Sequence, residues 1–394
     1  MENLLIHGQA PDALEGLGQF DLIYIDPPCN SSNIQDYPNR WKGPVEEYPW
    51  AGDHGEFLSY VLPAIQKGAE LLSDKGMMFI SMSEKEIFHL KVLLDQVLGH
   101  EKFLGNLVWD KGNSVSGSTL ARTHEIILIY GNKESPRLKR HRPGVDLLLD
   151  KASELRSMDL YHQEAERQFK RWLRRMIKRG LVGKELFSNL WLHPVTLRPF
   201  RTVSAHATTG EGRSKRAILH PLTNLPCRVP SRGWCYNEEG LSRIFETDET
   251  VYATAKYVVQ GKAHYGPTEA TIPRLIQYLD EKKDYAFPSI IKTPSIGKRE
   301  LPHGVVFSSP RPIKLIKRIL SAYGNPSARI LDFYAGSGST AHATEDLNIK
   351  DGGGRSWVLV EKMEETIEEV IVPRLRSIDA VYKFISHTDR TSVD

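Results

Sequence analysis

The segment Asp26-Pro27-Pro28-Cys29-Asn30 combines groups that can bind and orient an amine. It follows the apolar run Phe20–Ile25, so a buried strand should end just before Asp26, at the edge where α/β sheets bind ligands. The prolines fix the backbone and present carbonyls, and the Asp26 carboxylate adds further acceptors. Acceptors on both N–H bonds of an aromatic amine favour the geometry that frees its delocalised lone pair. The segment therefore indicates chemistry on the exocyclic amine of a base, although alone it is more typical of a turn.

A second segment, from Asp332 to Thr340, has the pattern of a glycine turn between a strand and a helix. Gly336 and Gly338 would let the backbone approach a ligand, and Glu361 ends the next expected strand, where a carboxylate can accept hydrogen bonds from ribose. No Gly-Lys-Ser/Thr triplet follows, which speaks against a triphosphate-binding loop. An acid in this position suits a cationic ligand such as S-adenosylmethionine (SAM), although a lone Gly-x-Gly is as often a structural turn.

Alternating apolar and amphipathic segments at both ends of the chain should position these motifs. The N-terminal part predicts helices at 56–72 and 84–98 and strands at 20–25, 77–80, 104–109 and 125–130. The C-terminal part predicts helices at 312–323, at 340–347 and from 364, and strands at 305–307, 329–333 and 357–360. Such alternation predicts an α/β fold with a largely parallel, buried sheet to which both ends contribute.

The middle of the chain is basic. Residues 131–235 hold 22 Lys and Arg against 9 Asp and Glu, whereas the remaining residues hold 30 against 40. Its densest part is an amphipathic helix with a cationic face that should end at Gly180. Because a polyanion gains from counterion release across a cationic surface, nucleic acid is the favoured partner. The candidate DNA contacts are Arg140, Arg171, Arg174, Arg175, Lys178, Arg213, Lys215 and Arg216.

Several classes of protein are disfavoured by composition. Three cysteines without a Cys-x2-Cys pair or a His-Cys cluster predict neither a disulfide framework nor a metal site. No apolar run reaches the length of a membrane helix, and the first residues lack the basic region of a signal peptide. We therefore expect a soluble, cytoplasmic protein without metal.

Together, the two motifs resemble those of amino-methylating DNA methyltransferases of the β arrangement, in which Asp-Pro-Pro-Tyr precedes a target-recognition region and the glycine motif comes last. The chain is most similar to the modification (Mod) subunits of type III restriction-modification systems. The similarity covers most of the chain and is carried by residues 22–28, 106–109, 124–130, 231–234, 310–316 and 331–343.

This resemblance implies a Rossmann-like, SAM-dependent methyltransferase sheet formed by both chain ends, with an inserted basic target-recognition domain. Residues 1–130 would be the catalytic half, 131–295 the DNA-binding region and 296–394 the SAM-binding half. The implied reaction transfers a methyl group from SAM to N6 of a flipped-out adenine in double-stranded DNA. A prokaryotic or phage enzyme is implied, as a homodimer, with a restriction subunit as a further partner.

The resemblance also implies site residues. The target base would be held by Asp26, Pro27, Pro28 and Cys29. The cofactor would be held by Gln9, Asp26, Lys314, Asp332, Phe333, Ala335, Gly336, Ser337, Gly338, Thr340 and Glu361.

Two positions depart from the family pattern. Cys29 stands where an aromatic ring usually stacks on the extruded base, so another ring should serve, with Tyr37, Trp41, Tyr48 and Trp50 as candidates. Gln9 replaces the aspartate of the usual Gly-Asp-Asn turn. Three alternatives therefore stay open: a cytosine-N4 methyltransferase of the same fold, a catalytically impaired SAM-binding recognition subunit, and a cytosine-C5 methyltransferase with Cys29 as nucleophile. The motif order disfavours the last of these.

Overall fold

The computed structural model of the protein describes residues 2–27, 55–82, 84–115, 122–142, 144–184 and 189–386. The chain forms two compact units: residues 1–140 with 286–394 make the first unit, and residues 141–285 make the second. The second unit therefore begins ten residues after the expected start of the inserted region, residue 131, and ends ten residues before its expected end, residue 295.

The N-terminal part of the first unit alternates strands and helices, as the sequence pattern predicts. Its strands are β1 (Leu4–His7), β2 (Phe20–Ile25), β3 (Leu72–Met82), β4 (Phe103–Val115) and β5 (Arg122–Gly131). Its helices are α1 (Gly55–Glu70) and α2 (Glu84–Leu94), and a π-helical turn at Asp95–Gly99 extends α2 over the expected range. The short strand β6 (Lys139–His141) follows, at the boundary between the first and second units.

Within the described residues, the second unit combines three helices with an antiparallel sheet. The helices are α3 (Val145–Ser157), α4 (His162–Lys178) and the shorter α5 (Glu238–Phe245). The strands are β7 (Leu190–Leu192), β8 (Pro199–Val203), β9 (Val251–Ala253), β10 (Val258–Gln260), β11 (Ala263–Tyr265), β12 (Arg274–Tyr278) and β13 (Asp284–Ala286). All but β13 form one sheet, in the order β7-β8-β12-β11-β10-β9.

The C-terminal part completes the first unit. Its strands are β14 (Ile290–Lys292), β15 (Arg329–Asp332), β16 (Ser356–Glu361) and β17 (Lys383–Ser386). Its helices are α6 (Ile313–Tyr323), α7 (Ser339–Asp351), α8 (Glu364–Thr366) and α9 (Val372–Arg376), the last two joined by a π-helical turn.

Both ends of the chain share one mixed sheet, which confirms that expectation. Within the described residues its order is β14-β4-β5-β3-β2-β15-β16-β1-β17. Neighbouring strands are parallel except that β5 runs antiparallel to both β3 and β4. The described sheet is thus largely parallel, as expected. β5 is the exception, because β4 and β5 follow each other with too few residues between them for a crossover.

Two apolar layers cover the sheet. In β2, Phe20, Ile23 and Ile25 pack with α1 and α2, whereas Leu22 and Tyr24 pack with α6 and α7 on the opposite face. A strand buried on both faces needs an apolar run rather than an alternating one, which is the pattern of residues 20–25.

The predicted strand at Val305–Phe307 is wrong. These residues have no regular structure, and Val306 is 86% exposed. The Phe307 ring instead lies against the glycine turn, where a Cβ on Gly336 would come within 3.2 Å of it. Phe307 made residues 305–307 resemble a strand, but its side chain serves to pack against the turn.

None of the helices in the described part of the chain is long and apolar enough to cross a membrane. Among the same residues, no cluster of three His, Cys, Asp or Glu side chains could hold a metal ion.

Candidate active site

The carboxyl ends of three neighbouring parallel strands bring the two sequence motifs together. β15 pairs with β2 on one side and with β16 on the other. Asp26 follows β2, Asp332 ends β15 and Glu361 ends β16, so the three acids share one edge of the sheet. Ligands of α/β sheets bind at this edge.

Asp332 stabilises the glycine turn through hydrogen bonds. It is 4% exposed, and its two carboxylate oxygens accept hydrogen bonds from the Tyr334 N–H (3.1 Å) and the Thr340 hydroxyl (2.6 Å). Burial raises the pKa of Asp332 to about 7, although the two hydrogen bonds oppose that shift. Both protonation states are therefore populated near neutral pH.

The turn itself requires glycine. Gly336 has φ +49° and Gly338 has φ +69°, a left-handed conformation that costs other residues about 1 kcal/mol or more. Gly338 directly precedes α7. Gly336 is half-buried and Gly338 is buried, so the turn packs closely at the start of a helix, beside the acids on β15 and β16.

Glu361 ties the turn to the next strand. One of its oxygens accepts the Gly336 N–H (2.9 Å), and the other accepts the N–H groups of Lys362 and Met363 (3.0 Å each). A small groove, with a volume of about 10 Å³, opens here. Its lining comprises Gly8, Gln9, Ala10, Tyr60, Phe333, Tyr334, Glu361 and Lys362. Gln9 is exposed, so its amide is available to a ligand in this groove.

On the other side of β15, Asp26 is held by an arginine. The Nε of Arg311 donates to Asp26 Oδ2 at 2.6 Å, and its Nη2 donates to Oδ1. The remaining arm of the same guanidinium donates to Glu125 on β5, and the Lys111 ammonium donates to the other Glu125 oxygen. Two carboxylates and two cations thus form one cluster in which the charges balance. Both cations lie over the Trp109 ring.

The cluster sets the ionisation of its acids. Burial raises the pKa of Asp26, and the Arg311 guanidinium opposes that rise. For Glu125, burial also raises the pKa, but the charges of Arg311 and Lys111 outweigh it and leave that pKa below its usual value. The two acids hold the pKa of Arg311 well above its ordinary value, so the arginine stays charged. Arg311 is therefore the group that favours an ionised Asp26.

A short hydrogen-bond chain connects this cluster to the glycine turn. The Ser339 hydroxyl, in the first residue of α7, donates to the Arg311 carbonyl at 2.9 Å. The fully buried Arg374 on α9 donates to the same hydroxyl at 2.6 Å. The start of α7 is thereby linked to the backbone that carries Arg311.

The structure brings together most of the residues assigned to the site. Asp26, the glycine turn and Glu361 share one edge, and Pro27 is buried beside Asp26. Lys314, expected near the cofactor, is exposed on α6, and Arg311, three residues earlier, is the cation that enters the site. Outside the described residues lie Pro28, Cys29, Tyr37, Trp41, Tyr48 and Trp50.

Arg311, Glu125 and Lys111 were not among the predicted site residues. The one available signal was an arginine between Pro310 and Pro312, immediately before a helix, within a segment that resembles the family. Its pairing with acids 285 and 186 residues away is not visible in the sequence.

The predicted cationic helix is α4, and its C-terminus has the expected glycine. Gly180 has φ +71°, and the Leu181 N–H bonds to the Met176 carbonyl across it. The helix buries Ala165, Phe169 and Leu173. The four cations predicted to contact DNA from this helix are all exposed: Arg171, Arg174, Arg175 and Lys178.

The other candidate DNA contacts differ in their surroundings. Arg213 and Lys215 are exposed, and Arg140 is half-buried. Arg216 pairs with Glu246 at 2.9 Å and donates to Ser242 at 3.1 Å. Arg216 therefore already has a local partner for its charge.

The chain belongs to the N6/N4 DNA methylase family, whose model matches residues 20–372. The type II methyltransferase M.KpnI of Klebsiella pneumoniae is 28% identical over 359 residues, covering 88% of this chain and 78% of the relative. The type III StyLTI Mod subunit of Salmonella typhimurium is 25% identical over 422 residues, covering 99% of this chain and 56% of the relative. This chain thus spans little more than half the length of that Mod subunit. The solved structure of PvuII DNA methyltransferase (cytosine-N4-specific) matches with a TM-score of 0.44 and 8% identity, covering 98% of this chain and 95% of that one.

Proposed function

We propose that this DNA methylase transfers the methyl group of SAM to the exocyclic N6 amine of adenine in double-stranded DNA. The observation that carries the proposal is the Asp26 carboxylate, which stands at the carboxyl end of β2 beside the glycine turn and is oriented by Arg311. An aspartate here, where cytosine-N4 enzymes commonly have serine, favours adenine. The similarity to type III Mod subunits supports the same base.

The residues at the edge fit SAM. The groove beside Gly8–Ala10 ends at Glu361, whose carboxylate suits ribose hydroxyls. The turn at Gly336 and Gly338 carries no side chains of its own that would hinder a ligand. Asp332 adds an acid beneath the turn for a ligand that carries positive charge. When bound, SAM supplies an electrophilic methyl group.

Asp26 would accept a hydrogen bond from the adenine amine and orient its lone pair. Arg311 occupies one acceptor position on each carboxylate oxygen, and an ionised carboxylate has about four such positions, so acceptors remain for the amine. Arg311 also favours the ionised form of Asp26, because its charge opposes the rise in pKa that burial causes. Arg311 is thus a positioning residue, and Asp26 is the group that contacts the substrate.

Incubation with tritiated SAM and mixed-sequence DNA, followed by nucleoside digestion, tests the reaction. We expect labelled N6-methyladenine. Asp26→Ala should lower the rate of methyl transfer by several orders of magnitude, while SAM binding remains. Labelled N4-methylcytosine would refute the adenine assignment. Absence of transfer with intact SAM and DNA binding would instead favour an impaired recognition subunit.

The exposed face of α4 would contact DNA. Three arginines and one lysine of this face are exposed, and counterion release would then drive binding. Neutralising three arginines together should flatten the plot of log affinity against log salt by up to about 0.9 per lost phosphate contact. An unchanged slope would place this face against solvent or protein. The residues to replace are Arg171, Arg174 and Arg175.

We also propose that the protein is a homodimer and acts with a restriction subunit. The support is the similarity to Mod subunits, which are named as parts of type III restriction-modification enzymes. Light scattering of the purified chain tests the first point, since a monomeric mass at working concentration would refute the homodimer.

A further inference from the structure

A second cavity lies in the first unit and is lined by residues of β4 and β5, whereas the cofactor groove is lined by Glu361 of β16. It has a volume of about 510 Å³. Its lining includes Trp109, Lys111, Glu125, Lys298, Arg299 and Arg311. The volume suits a ligand of nucleotide size, and the cavity shares Arg311 with the Asp26 cluster.

Positive charge dominates this cavity. Four cations and one carboxylate line it, and Glu125 is neutralised by its bonds to Arg311 and Lys111. Lys298 and Arg299 are exposed, and neither forms an ion pair with any residue in the described ranges. Their charges are therefore available to an anion, and the inner acid does not repel one.

The segment that carries these two cations is fixed to the active-site backbone. A Cβ on Gly297 would lie 2.0 Å from the Pro310 carbonyl oxygen, so this close approach requires glycine. On the other side, the Glu300 carboxylate accepts the Ile313 N–H at 2.7 Å and caps α6. Lys298 and Arg299 stand between these two anchors and so have a fixed position relative to Arg311.

We propose that Lys298 and Arg299 bind a backbone phosphate of the DNA strand whose base reaches Asp26. This inference rests on the proposed function and adds a DNA contact within the catalytic unit. A base at Asp26 brings its own sugar and phosphates with it, and the cavity beside Arg311 offers them space. Paired cations are the groups that bind phosphate, and the Trp109 ring provides an apolar wall.

The test measures affinity for a random-sequence duplex against salt concentration. The double variant Lys298→Ala/Arg299→Ala should flatten the log–log slope by up to about 0.9, the change that corresponds to one lost phosphate contact. The control Lys350→Ala/Arg376→Ala removes two exposed cations from the same unit and should leave the slope unchanged. Equal slopes for the wild type and the Lys298/Arg299 variant would overturn the proposal.

A second measurement locates the contact. Once methylated DNA has been sequenced, single phosphates flanking the modified base are replaced by neutral methylphosphonates. At one position the methylphosphonate should lower the DNA affinity of the wild type. The same methylphosphonate should not lower the DNA affinity of the Lys298/Arg299 variant, which already lacks this contact. An equal loss of affinity for the methylphosphonate DNA in both proteins would overturn the assignment. A variant that no longer binds AMP but keeps the wild-type salt dependence of DNA affinity would also overturn it, because that result points to a free nucleotide as the ligand.

These measurements separate the two proposals. SAM affinity and thermal stability of the double variant should match the wild type, since both side chains are exposed. If the wild type binds DNA but transfers no methyl group, the proposed function fails, and the salt slope still decides the phosphate contact.

Discussion

Replacement of Arg311 by glutamine would leave two carboxylates without their shared cation. The side chains of Arg311, Asp26 and Glu125 are 14%, 25% and 20% exposed. Removing one partner of a buried ion pair costs about 3–5 kcal/mol, and the residual exposure of both acids favours the lower end, about 3 kcal/mol. We expect a clear drop in the unfolding temperature.

The same variant should change the pH dependence of methyl transfer. Burial raises the pKa of Asp26, and without Arg311 little opposes that rise, so Asp26 would be ionised only at higher pH. Each unit of pKa corresponds to about 1.36 kcal/mol. Activity of Arg311→Gln should therefore be low at neutral pH and recover as pH increases. Its stability deficit should shrink as pH falls, because a raised pKa in the folded state favours folding of the protonated form.

Methyl-transfer rates at saturating SAM, measured from pH 6 to 9, provide the assay. Arg311→Lys keeps the charge without the two-armed geometry, so it should retain part of the activity and the wild-type pH profile. Asp26→Asn has no ionisable group at this position and should not recover at any pH. A wild-type pH profile and unfolding temperature for Arg311→Gln would refute the assigned role of Arg311.

Further outcomes are expected at the turn and at Cys29. Gly338 and Gly352 share φ +69°, so alanine should strain both backbones equally, but only Gly338→Ala should weaken SAM binding in calorimetry; equal effects would make the turn merely structural. SAM affinity should decrease as pH falls through about 7, where Asp332 takes up a proton, and Asp332→Asn should remove that dependence. Cys29→Ser should affect methyl transfer only mildly, whereas an inactive variant, or a covalent adduct with 5-fluorocytosine DNA, would indicate a cytosine-C5 mechanism.

Local structure was largely predictable because its causes are local. The spacing of apolar residues in α4 and the left-handed Gly180 after it are both visible in the chain. The apolar run before Asp26 predicts a strand buried on both faces, and β2 is such a strand. The turn from β15 to α7 follows from glycines that permit positive φ. Helical periodicity, strand burial and turn geometry all act within a few residues of each other.

The sequence by itself therefore determined the family, both motifs and the edge at which they meet. Only the tertiary structure decided how Asp26 is held. Arg311 reaches it because β2, β5 and the segment before α6 converge, and that convergence depends on strand order and on the antiparallel direction of β5. Lys314 and Arg311 are both cations near the start of α6, and packing selects Arg311 for the site. A buried ion cluster is formed by residues distant in the chain, since its energy comes from charges that meet only after folding.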